Sequence, residues 1–77
     1  MITTQVVYPL YGFEGRIVKA RLWDDATQQW YELGEMVNPG QLVIENVDPD
    51  GWYWISIKEY DDETDTWINV HASWISL

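Results

Sequence analysis

Apolar and polar positions alternate along most of this chain with a period of two. Runs rich in Val, Ile, Trp and Tyr are separated by clusters of Asp, Gly, Pro and Asn. Period two over short runs bounded by turn residues predicts β-strands. Six are expected, over residues 2–8, 15–23, 30–37, 41–47, 52–60 and 66–75. In Asn38-Pro39-Gly40, Pro presets φ and Gly tolerates a positive φ, and Asp48-Pro49-Asp50-Gly51 has the same turn chemistry. No apolar stripe runs at i, i+3, i+4, i+7, so no helix longer than one turn is expected.

Strand parity divides the side chains into two faces. Val18, Ala20, Leu22, Tyr31, Leu33, Leu42, Ile44, Val47, Tyr53, Ile55, Ile57, Ile68, Val70, Ala72 and Trp74 form the expected core. Trp30, Trp52, Trp54, Tyr60 and Trp67 then fall on an outer face. A one-residue slip would exchange the two faces of a strand. Each indole can bury about 150–250 Å², and Trp and Tyr are enriched at interface hot spots. These five residues are therefore the expected partner-binding set.

A short repeat runs through the pattern. Arg21-Leu22-Trp23-Asp24-Asp25-Ala26-Thr27-Gln28-Gln29-Trp30-Tyr31 realigns on Lys58-Glu59-Tyr60-Asp61-Asp62-Glu63-Thr64-Asp65-Thr66-Trp67-Ile68 at an offset of 37 residues. Two β-hairpins built alike would give this, as would duplication of a half-domain. Two copies are too few for a solenoid, which needs at least about three.

The stretch Val47-Asp48-Pro49-Asp50-Gly51-Trp52-Tyr53-Trp54-Ile55-Ser56-Ile57 resembles the E–F corner of fibronectin type III and related immunoglobulin-like sandwiches. Val47, Pro49, Tyr53, Ile55 and Ile57 fall on that corner's steps. The resemblance implies an all-β fold, a small antiparallel β-sandwich of about six strands. It also implies that Tyr53 is a corner tyrosine whose hydroxyl bonds to upstream backbone. Leu42 and Ile44 look like inward residues of strand E, and Trp23 and Trp30–Tyr31 like the aromatics of strands B and C. The chain is shorter than a usual domain of this type. Position 51 is Gly where Thr is common, and an ordinary A strand is hard to place. Residues 15–77 are expected to form the sandwich and residues 1–14 an N-terminal arm or edge strand. Tyr8, Tyr11 and Phe13 beside Pro9 and Gly12 would suit an arm, and an ordinary edge strand ending in a turn fits equally.

Composition narrows the function. The chain has 77 residues, 4 Lys and Arg against 13 Asp and Glu, a net charge of −9 and no Cys. One domain is the ceiling, since domains usually run about 100–200 residues. A chain this short buries only about 60% of its unfolded surface. An enzyme with its own cofactor site is not expected, and no cofactor is. Nucleic acid is not an expected partner, because phosphate binding needs a basic surface. No apolar run approaches the roughly 18 residues of a membrane span, and the first dozen residues lack a secretion signal. Synthesis in the cytosol is the expectation.

Candidate chemistry is sparse. Asp61-Asp62-Glu63-Thr64-Asp65 is dense in carboxylates but lacks the Gly and terminal Glu of an EF-hand loop, so a solvated hairpin loop is expected. His71 is the sole His, and no Cys can join it on a metal. Parity places Ser73 beside it, without a third group to orient the pair. No Gly-rich phosphate loop occurs.

A non-enzymatic protein-interaction module is therefore expected, docking through an aromatic sheet face. The resemblance extends to small bacteriophage virion accessory proteins, either capsid-decorating or tail-associated. It implies a virion location after synthesis in the host cytoplasm, with a capsid or tail protein as partner and self-association as a further contact. Trp anchors would fill pockets in the partner, and Lys19, Arg21 and Lys58 would pair with acids at the rim. The alternatives are a carbohydrate-binding module that stacks sugars on exposed Trp, and an acidic DNA mimic that blocks a host nuclease or defence complex.

Overall fold

The computed structural model describes residues 2–12, 15–38 and 40–75. It is all-β, with six strands: β1 (Thr4–Pro9), β2 (Ile17–Asp24), β3 (Gln29–Val37), β4 (Gln41–Val47), β5 (Tyr53–Asp61) and β6 (Thr66–Ile75). They form two antiparallel sheets. One has two strands in the order β1-β4, and the other four in the order β3-β2-β5-β6. Every expected strand is present, with ends displaced by two residues or fewer. Phe13 of the N-terminal segment and Pro39 of the expected turn lie outside the described residues.

The core lies between the two sheets. It is built from Leu10, Val18, Ala20, Leu22, Leu42, Ile44, Val47, Tyr53, Ile55, Ile57 and Ile75. Most come from β2, β4 and β5; alternation turns every second residue inward on β2 and β5, and on β4 it is interrupted between Ile44 and Val47, where the register with β1 shifts. No residue of β3 is fully buried, although Leu33 and Met36 pack partly against the core. The small sheet thus covers the two central strands of the large one and leaves β3 overhanging. Tyr31, expected in the core, faces inward on that overhang and stays exposed.

The N-terminal segment closes the core. β1 pairs with β4, turns Val6 and Tyr8 toward the core, and leads into buried Leu10. A buried polar knot fixes it there. The Asn38 side-chain amide donates to the Leu10 carbonyl at 3.0 Å, while its oxygen accepts from the Gly40 N–H at 2.8 Å. Asn38 is the one buried polar residue among those described, and both ends of its amide are satisfied.

The two hairpins of the large sheet are one unit used twice, and the offset of 37 holds in detail. The loop aspartates Asp24 and Asp61 each accept the N–H two residues on, at 3.0 Å in both. Gln28 and Asp65 both take a left-handed conformation, with φ of 57° and 54°. The flanking pairs Trp23–Trp30 and Tyr60–Trp67 both have centroids 5.4 Å apart. Each hairpin also carries a bulge at the same place, with Leu33 and Val70 as the extra residues. β2 and β5 meet with Ala20 opposite Ile57, itself an offset-37 pair. The hairpins are therefore related by a pseudo-two-fold axis through that pair, normal to the sheet.

The bulge at Val70 corrects the expected core on β6. An extra residue reverses parity beyond it. Ile75 pairs with Tyr53 and is buried, whereas Ala72 and Trp74 pair with Ser56 and Trp54 on the outer face. Ile68 precedes the bulge and faces inward opposite Glu59, at the uncovered edge, so it is exposed rather than core.

The corner has the expected geometry. Tyr53 is buried, and its hydroxyl oxygen accepts the Asp48 N–H at 2.9 Å. A Cβ at position 51 would lie 2.8 Å from the Tyr53 ring and 3.2 Å from the Asp48 carbonyl, which accounts for Gly there. The strand letters need correcting. Strands B and C of immunoglobulin-like sandwiches lie in opposite sheets, but β2 and β3 are hydrogen-bonded neighbours.

Candidate functional site

The outer face of the large sheet gathers most of the chain's unusual residues. Trp30, Trp23, Trp54 and Trp74 are register partners in turn, so four indoles form one row across all four strands. Trp52, 66% exposed, extends the row by packing edge-on against Trp74 at 6.2 Å. Neighbouring rings meet at steep angles: 55° for Trp23–Trp30 and 78° for Trp54–Trp74. Such edge-to-face contacts are worth about 0.5–1.5 kcal/mol each beyond area burial.

A second aromatic cluster sits at the opposite end of the same face. Tyr60 and Trp67 are cross-strand partners there. The Tyr60 hydroxyl donates to the Asp65 carboxylate. That bond is the main cause of a phenol pKa raised above its ordinary value; burial and the nearby charges of Asp62 and Asp61 add to it.

Of the five expected residues, Trp30, Trp54, Tyr60 and Trp67 lie on strands of one sheet and Trp52 immediately precedes β5; register and ring contacts divide them between two clusters. Sequence reasoning omitted Trp23 from the set although parity had it outward, and it assigned Trp74 to the core. The parity of Trp74 depends on the bulge, which no local signal marks.

Three of the chain's four cations lie between the clusters. Lys19 is the direct register partner of Lys58, and Arg21 that of Ser56. They were expected at a rim, but register puts them at the centre of the face. The Lys19 ammonium lies 4.3 Å from the Trp67 ring centroid and the Arg21 guanidinium 4.0 Å from that of Trp30. Glu32 and Glu35 flank them on β3, opposite Arg21 and Lys19. Yet the sole ion pair among the described residues is elsewhere, between Arg16 and Glu59 at 3.0 Å. A shallow dimple of about 100 Å³ opens among Lys19, Arg21, Glu32, Ser56 and Lys58.

The other chemical candidates are occupied by structural contacts. His71 Nε2 meets the Tyr8 hydroxyl at 2.5 Å, joining the two sheets. Ser73 donates to the Trp74 carbonyl instead of addressing His71. In the acidic loop, Asp61 holds the Glu63 N–H and Asp65 holds Tyr60. No group of three or more His, Cys, Asp or Glu side chains converges on a metal position among the described residues.

Comparison with known proteins finds no matching family model, and no curated protein or solved structure matches the chain.

Proposed function

We propose that this chain is a non-enzymatic interaction module that docks a partner protein on the outer face of its four-stranded sheet. The partner surface would be apolar and carry carboxylates, complementary to the indoles and to Lys19, Arg21 and Lys58.

The carrying observation is a difference between the two hairpins. Trp54 and Trp74 stand where the first hairpin has Ile17 and Val37 at offset 37, both exposed. The same scaffold is built there without indoles, so folding does not require Trp at those positions. Four strands of about nine residues span roughly 30 by 19 Å, or about 570 Å². That is below the ~800 Å² per partner of a standard interface. The affinity of one copy would therefore rest on a few aromatic anchors, with repeated copies adding avidity. The steep angles between rings suit anchors that enter protein pockets better than a coplanar strip for stacking sugars. The central cations oppose mimicry of a phosphate backbone. Action on a bacteriophage particle, as capsid-decorating or tail-associated protein, belongs to this proposal, with the β-sandwich fold as its support.

The test is the double variant Trp54→Ile, Trp74→Val, which installs the counterparts from the other hairpin. Wild type would first be sedimented over a concentration series, to find whether it binds itself. The partner retained by the wild-type protein would then be purified for titration. An unchanged fold with affinity reduced about tenfold or more is expected. Equal affinity of the variant would refute the docking face.

A further inference from the structure

We propose that Lys19, Arg21, Ser56 and Lys58 form a carboxylate-binding centre within this face, which receives an Asp or Glu side chain from the partner protein. The proposal rests on the docking reading and names its central contact.

The argument begins with scarcity. Four cations serve 13 acids in this chain, so favourable pairing is available almost anywhere on the surface. Two of the four nevertheless stand directly opposite one another across β2 and β5. Like charges at such positions are destabilising. No carboxylate among the described residues lies within 4.0 Å of Lys19, Arg21 or Lys58, although Glu32 and Glu35 are register neighbours. Arg21 is also incompletely satisfied, because its guanidinium lies over Trp30 and its Nε is buried without a hydrogen-bond partner.

An oxyanion in the dimple would relieve the repulsion between the lysines and could accept from Ser56. The aromatic clusters on either side would exclude water once a partner covered them, which strengthens a charge-assisted hydrogen bond. A carboxylate from a protein is favoured over a polyanion because acids dominate the rest of the surface. Glu32 and Glu35 beside the site would oppose a second and third negative charge.

The test is titration of the ¹⁵N-labelled full chain at low salt with an end-blocked Gly-Glu-Gly peptide, which carries one carboxylate, with Gly-Gln-Gly as the neutral comparator. Shifts confined to Lys19, Arg21, Ser56, Lys58 and their neighbours are expected with the Glu peptide only. Lys58→Gln should weaken binding about two- to fivefold, the worth of one exposed charge pair. It should also raise the melting temperature, because the like-charge pair is gone. A merely structural lysine would not give both changes. Shifts that are absent, spread over the molecule, or reproduced by inorganic phosphate at equal concentration would overturn the proposal. So would unchanged affinity in Lys58→Gln. The peptide titration leaves the tryptophan variants untouched. Its failure while they still lose the partner would remove the carboxylate centre and spare the docking reading, and the opposite pattern would do the reverse.

Discussion

Replacing Tyr53 by Phe removes one oxygen from a buried ring and tests the corner directly. The hydroxyl accepts the Asp48 N–H at 2.9 Å, and that donor is half-buried. The variant keeps the ring and its packing but leaves the N–H without its acceptor. A net hydrogen bond is worth about 0.5–1.5 kcal/mol, and a donor left dry costs about 1–3 kcal/mol. Because water reaches Asp48 in part, the cost should lie near 1 kcal/mol. A domain of this size has roughly 4–12 kcal/mol of total stability. The melting midpoint should therefore fall by about 4–8 °C. In urea, the transition midpoint should fall by up to about 1 M, for a slope near 1 kcal/mol/M. Both transitions can be followed by far-ultraviolet circular dichroism. An unchanged midpoint at unchanged slope would refute the claim that the hydroxyl ties the β4–β5 connection to β5.

Two further changes probe neighbouring features. Gly51→Ala would place a Cβ 2.8 Å from the Tyr53 ring. It should cost about 1–3 kcal/mol by overpacking. The cost should persist when it is combined with Tyr53→Phe, because the clash is with the ring and not the hydroxyl; equal stability of Gly51→Ala and wild type by urea titration would disprove the contact. Tyr60 should ionise above the ordinary tyrosine value of about 10, because its proton is held by Asp65 in an acidic loop. A raised folded value means that its stabilisation is full below about pH 10 and is lost as pH rises through the folded value. Asp65→Asn should bring its titration down, measured by tyrosinate absorbance; an unchanged curve would reject the assigned hydrogen bond.

The aromatic face shows how far local pattern carries and where it stops. Trp30, Trp52, Trp54, Tyr60 and Trp67 were placed outward by alternation alone; the register sets four of them on one sheet, and Trp52, just before β5, packs against Trp74 of that sheet. Trp74 went to the wrong face because Val70 is an ordinary strand residue, and nothing beside it announces a bulge. The likeness of the two loops was visible in Asp24-Asp25 and Asp61-Asp62. The equivalence of Leu33 and Val70 was not, because a bulge is a relation between two strands.

By itself the sequence determined what local physical chemistry can determine. Period-two alternation made six strands, and Asp, Gly, Pro and Asn made the breaks between them. Positive φ at Gly40 and the space taken by Tyr53 beside Gly51 are written in single residues. Only the tertiary structure decided strand order, the register shifts in three of the four strand pairings, the overhang of β3 and the meeting of Lys19 with Lys58. Those outcomes come from long-range pairing, where one inserted residue reverses every side chain beyond it. They also depend on which strands a two-stranded sheet is wide enough to cover.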